Sequence, residues 1–180
     1  RLLVDELGSA STRTRYFNPL VAAGGKFSWC MTIQPLRNRY FFNLRNHRKI
    51  QIVDGEIAYV GGMNFGTEYE GKSKDVGPWR DMQMAIRGSV VDALQSVFAT
   101  DWTFATEEWL SDSRYTGRST EESKIPVTVV NSGPDEPDRS FLKTFILACN
   151  HAKERLDIFT PYFGPEDSVI LAMQLAARRG

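Results

Sequence analysis

The sequence predicts a mixed α/β protein, and three observations support this fold class. Segments rich in Val, Ile, Phe and Trp alternate with segments of helical periodicity along the 180 residues. The pair Asp54-Gly55 separates two such apolar segments, which is a signal for an antiparallel hairpin. Hydrophobic residues make up 42% of the chain and charged residues 24%, the composition of a globular protein with one real core.

The individual elements follow from local pattern. Gly24-Gly25 ends the first helix, and the spacing of apolar residues makes 90–104 a long amphipathic helix. Polar or basic segments at 37–46, 64–79 and 106–124 are assigned to a connection, a loop over the site and a linker. The predicted strands cover residues 2–4, 26–31, 47–53, 57–60, 80–87, 126–130 and 155–160, and the predicted helices cover residues 12–23, 90–104, 139–152 and 168 onward.

A weak internal echo divides the chain into two lobes. Strand, helix and strand open the sequence, and the stretch from Pro126 begins in a similar way. We therefore expect a first lobe over residues 1–124 and the start of a second over residues 125–180. The chain begins in what reads as the middle of a strand and ends in a helix, so we expect that both ends are cut from a longer protein.

Charge and composition limit the possible functions. Lys plus Arg and Asp plus Glu both total 22, so the overall charge favours no particular partner. Basic residues crowd around His47, an arrangement that suits either a solvated face or an anionic ligand such as a phosphate. They are Arg37, Arg39, Arg45, Arg48 and Lys49.

Other classes of site are not expected. With two cysteines and two histidines in the chain, no zinc site is predicted, and Cys30 and Cys149 are interpreted as buried reduced thiols. His151 is interpreted as a surface histidine. No apolar run reaches the length of a membrane span, and no signal peptide is visible.

The stretch from His47 to Asn64 carries the candidate chemistry. On the predicted strand, His47 and Lys49 share one face, while Ile50 and Ile52 point to the core. The hairpin then returns the chain through Gly61-Gly62, where the backbone can pass close to a ligand before Asn64. An imidazole, an ammonium and an amide would thus converge on one volume.

Such a set of groups suits a phosphodiester. The imidazole can attack phosphorus, and Lys49 and Asn64 can hold the oxygens whose charge grows in the transition state. No metal or other cofactor is needed. The alternative for a lone strand histidine is a structural or surface role.

The complete pattern resembles a known motif. His47-x-Lys49-x4-Asp54, six further residues and Gly61-Gly62-x-Asn64 match the signature of the phospholipase D superfamily. Flanking segments resemble bacterial cardiolipin synthases, and the similarity runs from end to end. These segments are Asn43-Leu44-Arg45-Asn46, Pro78-Trp79-Arg80-Asp81, Arg87-Gly88, Asp101-Trp102, Asn131-Ser132-Gly133-Pro134 and Thr160-Pro161-Tyr162-Phe163.

The resemblance implies a fold and a site. The fold is a phospholipase D-like mixed β-sheet flanked by helices in αβα layers. Two copies of the motif meet in such enzymes, so His47 is the nucleophile that forms a phosphohistidine, or its acid/base partner. Lys49 and Asn64 would bind phosphate, and Asp81 would orient the imidazole, with an ordinary surface carboxylate as the alternative.

The remaining motif residues have simpler expectations. Asp54 is interpreted as a turn residue. Arg45 and Arg48 are candidates for binding the lipid headgroup, with solvated charges as the alternative.

The second copy of the motif is missing, because the chain has no other His-x-Lys. We therefore expect either a fragment of a synthase or a chain that pairs with a second copy. The implied reaction joins two phosphatidylglycerol molecules into cardiolipin and releases glycerol. The parent would work at the bacterial cell membrane, and the fragment itself would be soluble.

Two alternatives stay open. One is a single-motif phosphodiesterase or nuclease active as a dimer, although nucleic acid is not the expected ligand. The other is a module that binds phosphate or lipid without turnover.

Overall fold

The computed structural model describes residues 1–30, 45–72, 74, 77–110, 125–133, 138–160 and 162–179. Within these ranges the structure is mixed α/β, and the predicted fold class is confirmed. The chain divides into two compact units, Arg1–Val129 and Val130–Gly180. Most of the predicted connection at 37–46 and of the predicted linker at 106–124 lies outside the described residues.

The first unit opens with two parallel strands, at the positions where the sequence predicts strands. Strand β1 (Leu2–Asp5) pairs with strand β2 (Phe27–Cys30), so that Leu2 lies opposite Phe27 and Asp5 opposite Cys30. The ring of Phe17 stacks on Phe27 with 3.9 Å between centroids, which packs the connecting segment against β2.

The helix predicted over residues 12–23 is shorter than expected. A 3₁₀ turn (Thr14–Phe17) comes first, and helix α1 (Asn18–Ala22) follows. Pro19 explains the break, because it has no N–H to donate to the Arg15 carbonyl. Gly24, with φ of 87°, ends the segment, as the sequence predicts.

The second sheet of this unit is antiparallel, with strand order β3-β4-β5. Its strands are β3 (Ile50–Val53), β4 (Ile57–Gly61) and β5 (Gln83–Arg87). The hairpin prediction is confirmed, since Asp54 and Gly55 have φ of 56° and 71° and the Glu56 N–H donates to the Val53 carbonyl at 3.0 Å. The register pairs Val53 with Ile57, so the connection is one residue longer than predicted.

Helix α2 (Val90–Thr106) packs against β2 and against all three strands of the antiparallel sheet. Its buried residues recur at helical spacing, namely Val91, Leu94, Gln95 and Trp102. Val91 and Leu94 form the core cluster with Ala58 of β4. Ile50 and Ile52 pack against this cluster from β3, which confirms the prediction that they face the core.

A second set of contacts ties the end of α2 to the start of the parallel strands. The Glu108 carboxylate accepts hydrogen bonds from Lys26 Nζ at 2.7 Å, Arg1 Nη2 at 3.1 Å and Trp102 Nε1 at 3.2 Å. The hydrogen bonds from Lys26 and then Arg1 lower the pKa of Glu108 to about 2. Charge therefore joins elements that are far apart in the sequence.

The second unit contains helices α3 (Ser140–His151) and α4 (Asp167–Arg179), both predicted. The helices pack on each other and bury Cys149 and Ala172. Arg179 donates to the Cys149 carbonyl at 2.6 Å, which satisfies a free carbonyl near the end of α3.

The strands predicted at 126–130 and 155–160 are wrong, because the structure assigns no strand to either segment. A strand exists only through a neighbour that completes its hydrogen bonds. Among the described residues none pairs with these segments, and the apolar side chains of Leu156 and Ile158 are exposed. None of the helices in the described ranges combines the length and apolar content needed to cross a bilayer.

The contacts of Glu108 predict a pH dependence of stability. Its pKa in the folded state, about 2, lies below the ordinary value of 4.5, so this stabilisation is complete above pH 4.5 and is lost as the pH falls towards 2. We expect Glu108→Gln to lower the free energy of unfolding at neutral pH. The decline of this free energy as the pH falls from 4.5 towards 2 should also be smaller in the variant. Urea unfolding at a series of pH values measures both effects.

Glu70→Gln is the matched control, because Glu70 pairs with Lys72 only through side chains that are 57% and 83% exposed. An unchanged pH profile in Glu108→Gln would contradict the assignment.

Candidate active site

His47 lies in a segment that precedes the sheet. The strand predicted over residues 47–53 begins only at Ile50, so the shared-strand argument for His47 and Lys49 is wrong. The Asn46 N–H donates to Asp5 Oδ2 at 3.2 Å, and the Arg48 N–H donates to Asn46 Oδ1 at 3.0 Å. Side chains thus satisfy these backbone groups in place of a neighbouring strand.

His47, Lys49 and Asn64 nevertheless line one cleft, of about 2160 Å³. His47 is exposed to solvent, and Lys49 Nζ donates to its backbone carbonyl at 2.7 Å. This contact links the ammonium to the histidine backbone, while the imidazole is free to face the cleft. The three groups that the sequence selects therefore share one surface.

The Lys49 ammonium lies in a mixed electrostatic environment. Partial burial lowers its pKa, and the nearby Arg45 guanidinium acts in the same direction. The carboxylates of Asp81 and Asp5 oppose the shift. Both carboxylates thus favour the charged form of Lys49, although neither forms an ion pair with it among the described contacts.

Tyr69 holds the Asn64 side chain. Asn64 Nδ2 donates to the Tyr69 hydroxyl at 3.1 Å, and the Tyr69 ring meets the edge of Trp79 with 5.0 Å between centroids. Trp79 Nε1 in turn donates to Asp81 Oδ2 at 3.3 Å. These contacts connect the amide at the cleft to the segment that carries Asp81.

Asp81 has partners on its own segment. Its Oδ1 accepts the Met82 N–H at 2.7 Å, and its Oδ2 accepts the Trp79 indole N–H. In the described part of the chain these donors, and not the His47 ring, bond the carboxylate. The orienting role expected for Asp81 therefore stays a prediction.

The two motif glycines are explained by strand β5. A Cβ at Gly61 would run into the Met82 carbonyl oxygen, and a Cβ at Gly62 would run into Asp81 Oδ1. The Gly62 N–H also donates to the Met82 carbonyl at 3.0 Å. The close neighbour of this backbone is thus protein, whereas the sequence interpretation anticipated a ligand. Asp54 lies in the turn, as expected, with a positive φ of 56°.

The two candidate headgroup arginines have carboxylate partners. Arg45 Nη2 lies 2.9 Å from Asp5 Oδ1, and Arg48 Nη1 lies 3.0 Å from Asp101 Oδ2. All four side chains are at most 30% exposed, so the alternative of freely solvated charges is wrong for these arginines. A role in substrate binding stays a prediction.

The sequence interpretation missed Arg13 and Arg15. Both are exposed and line the same cleft as His47, and neither forms an ion pair within the described ranges. The spacing Arg13-x-Arg15 was the available signal, but nothing in the sequence relates this stretch to residues more than thirty positions later. Tyr69 was missed for a similar reason, because it lies in a segment assigned only as a loop.

Two further sequence predictions are confirmed. Cys30 and Cys149 are free and buried, and burial raises the pKa of the Cys30 thiol. His151 is exposed at the end of α3, where its ring Nδ1 lies 3.1 Å from the Leu147 carbonyl. Among the described residues no group of three His, Cys, Asp or Glu side chains is arranged to hold a metal ion.

The fold and the site together define an α/β protein with a basic cleft that presents a histidine, a class suited to anionic ligands. Comparison with known proteins is more specific. The chain is 34% identical to cardiolipin synthase 1 of Bacillus cereus, over 100% of this chain and 37% of the relative. It is 38% identical to cardiolipin synthase of Clostridium perfringens strain 13, over 100% of this chain and 39% of the relative.

A third relative agrees. Cardiolipin synthase A of Pseudomonas aeruginosa LESB58 is 38% identical over 99% of this chain and 36% of its own length. The chain is thus a homologue of one segment of bacterial cardiolipin synthases, and it spans less than two fifths of their length. No family model and no solved structure matches it.

The crowding at Gly61 predicts the effect of one added methyl group. Gly61→Ala would push against the Met82 carbonyl and part β4 from β5, so we expect a loss of about 1–3 kcal/mol in the free energy of unfolding. Gly164→Ala is the control, since a Cβ there meets nothing within 4 Å. Urea unfolding of both variants makes the comparison, and equal stabilities would contradict the close approach.

Proposed function

We propose that this chain is the part of a cardiolipin synthase that carries one catalytic histidine, His47. The observation that carries the proposal is the similarity to cardiolipin synthases along the whole chain, at 34–38% identity in three relatives. The presence of His47, Lys49 and Asn64 on one cleft supports it. The proposal extends to membership of the phospholipase D superfamily, whose motif the sequence resembles.

The proposed reaction has two steps. In the first, an imidazole nitrogen attacks the phosphorus of a phosphatidylglycerol, an N–P bond forms, and the P–O bond to the glycerol headgroup breaks. A second histidine protonates the departing glycerol oxygen. In the second step this histidine takes the proton from a headgroup hydroxyl of another phosphatidylglycerol. That oxygen attacks phosphorus, the N–P bond breaks, and cardiolipin leaves. His47 serves as either the nucleophile or the proton donor.

The groups around His47 would stabilise the charge that develops on the reacting phosphate. Lys49 and Asn64 would donate hydrogen bonds to the phosphate oxygens, on which negative charge increases as the nucleophile approaches. Tyr69 keeps the Asn64 amide in place for this task, because it accepts from Nδ2 at 3.1 Å. Asp81 would stabilise the charged site as a whole, since its carboxylate opposes the lowering of the Lys49 pKa that burial causes.

Arg13 and Arg15 are the candidates for holding the lipid phosphate at the mouth of the cleft. Their guanidinium groups are exposed and line the cleft, while those of Arg45 and Arg48 are paired with carboxylates. A guanidinium presents a planar set of donors that suits phosphate. The substrate is therefore an anionic phospholipid at a membrane surface.

The second histidine must come from another lobe. The chain spans 37–39% of the first relatives, so the rest of a longer protein is the proposed source. In that arrangement residues 1–124 form the first phospholipase D-like lobe and residues 125–180 begin the next. A second copy of this chain is the alternative source.

Substitution of the two histidines tests the function. Cardiolipin and glycerol formed from short-chain phosphatidylglycerol are measured together with the mass of the chain in solution. We expect turnover from an assembled form to fall roughly 10²–10⁴-fold in His47→Ala, the range for loss of a catalytic acid or base. A chain that stays monomeric should bind the lipid without turnover.

His151→Ala is the matched control and should change neither result, because His151 lies on the surface of α3. Wild-type turnover in His47→Ala would contradict the proposal. Cleavage of DNA in place of lipid transfer would favour the phosphodiesterase alternative.

The cleft arginines predict an effect on binding. The double variant Arg13→Ala/Arg15→Ala should weaken binding of short-chain phosphatidylglycerol by roughly three- to tenfold, the range for two exposed charge contacts. Added salt should reduce the difference from wild type. Isothermal titration with the double variant Arg87→Ala/Arg178→Ala provides the control, since both arginines are exposed and neither lines the cleft. Equal affinities in the two variants would contradict the role.

A further inference from the structure

The backbone on both sides of His47 is held by two carboxylates from other elements. Asp5 ends strand β1, and Asp101 lies in helix α2. Residues 45–48 pass between them without forming a ladder with a neighbouring strand. In this segment the carboxylates provide the fixed hydrogen-bond partners that a sheet would otherwise supply.

Asp5 holds the first part of the segment. Its Oδ1 accepts from Arg45 Nη2 at 2.9 Å and from Arg45 Nε at 3.3 Å, and its Oδ2 accepts the Asn46 N–H at 3.2 Å. The Gly8 N–H donates to the same Oδ1 at 2.6 Å, so the carboxylate is itself fixed by its own loop. The Asp5 side chain is 13% exposed.

Asp101 holds the second part. Asn46 Nδ2 donates to Asp101 Oδ2 at 2.8 Å, and Arg48 Nη1 lies 3.1 Å and 3.0 Å from the two carboxylate oxygens. Asn46 Oδ1 accepts the Arg48 N–H at 3.0 Å. Asn46 therefore joins the two carboxylates to each other and is itself bonded to Arg48, the residue on the other side of the histidine. Hydrogen bonds to ionised groups in a partly buried setting are the strong ones.

His47 is the exposed residue between these fixed neighbours. Asn46 and Arg48 border a second, small cavity of about 80 Å³ together with Asp5, Asp101 and Cys30, on the protein side of the segment. His47 does not line this cavity and lines the open cleft instead. Asn46 and Arg48 thus border both the small cavity and the open cleft, whereas His47 borders the open cleft alone.

We infer that Asp5 and Asp101 are positioning residues that fix the His47 backbone through Asn46 and Arg48. Arg45 and Arg48 then help to fix the position of the histidine, while Arg13 and Arg15 bind the lipid phosphate. This inference rests on the proposed function for its catalytic meaning. The fixed position of His47 is a property of the folded chain and is measurable without turnover.

Histidine NMR provides the test, because the chain contains two histidines and His151 is an internal reference. The ¹H–¹³C signals of the two imidazole rings are recorded for the wild type and for Asp101→Asn. We expect the heteronuclear NOE of the His47 ring to fall in the variant, as its backbone gains freedom, and that of His151 to stay unchanged. The chemical shifts of the His47 ring should likewise change in the variant, and those of the His151 ring should stay unchanged.

Glu108→Gln is the matched control, because Glu108 also accepts from two cationic side chains in the same unit, and none of its described hydrogen bonds involves residues 45–48. It should lower the melting temperature and leave the His47 signal as in the wild type. Asn46→Ala guards against a variant that fails to fold, since it removes the bridge and keeps both Arg–Asp pairs. It should loosen His47 as Asp101→Asn does.

Turnover gives a second readout in an active assembly. Loss of positioning in Asp101→Asn should lower kcat on the order of 10²-fold with little change in KM, because Asp101 does not line the cleft. A His47 signal unchanged in both Asp101→Asn and Asn46→Ala, or equally perturbed in Glu108→Gln, would overturn the inference. Loosening of His47 in a protein whose turnover does not depend on His47 would support positioning and refute the proposed function.

Discussion

The first unit depends on one helix that packs against two sheets. A two-stranded sheet is marginal on its own, and a three-stranded sheet has an apolar face that another element must cover. Helix α2 covers both, and Val91, Leu94 and Trp102 on its inner side are all at most 5% exposed. Ala58 allows the central strand to approach closely, because its side chain is small and completely buried. The remaining elements are arranged around this helix.

Three carboxylates complement this apolar packing at the edges of the same unit. Asp5, Asp101 and Glu108 each collect several donors from segments that are distant in sequence. Each is partly shielded from water, which strengthens the contacts relative to exposed ion pairs. One consequence concerns charge distribution. The chain has no net charge, yet Arg45 and Arg48 are paired with carboxylates while Arg13, Arg15 and Lys49 line the cleft without an ion pair among the described contacts.

The sequence was sufficient where local chemistry decides the structure. The Asp54-Gly55 turn, the helical spacing in α2 and the strands β1, β2 and β4 all follow from residues close to each other. The prediction was wrong where a distant partner decides. Residues 47–49 are not a strand because Asp5 and Asp101 bind their segment, and residues 155–160 have no neighbouring strand in the described structure.

The candidate site shows the same division. His47, Lys49 and Asn64 could be selected from their spacing, since the motif lies within one hairpin and its flanks. The carboxylates behind His47 and the arginines across the cleft could not, because the fold alone brings them near it. The pairing of Arg45 with Asp5 spans 40 residues, and no local pattern announces it.

The two glycines of the motif are required by the scaffold. Positions 61 and 62 have no room for a side chain, because the Met82 carbonyl and the Asp81 carboxylate fill the adjacent space. This holds whatever molecule occupies the cleft. A search pattern that requires both glycines therefore selects for a particular hairpin and its third strand. The groups proposed to act in the reaction are instead those of His47, Lys49 and Asn64. A protein could keep the glycines and lose the reaction, and such a chain would still be retrieved as a relative by its scaffold.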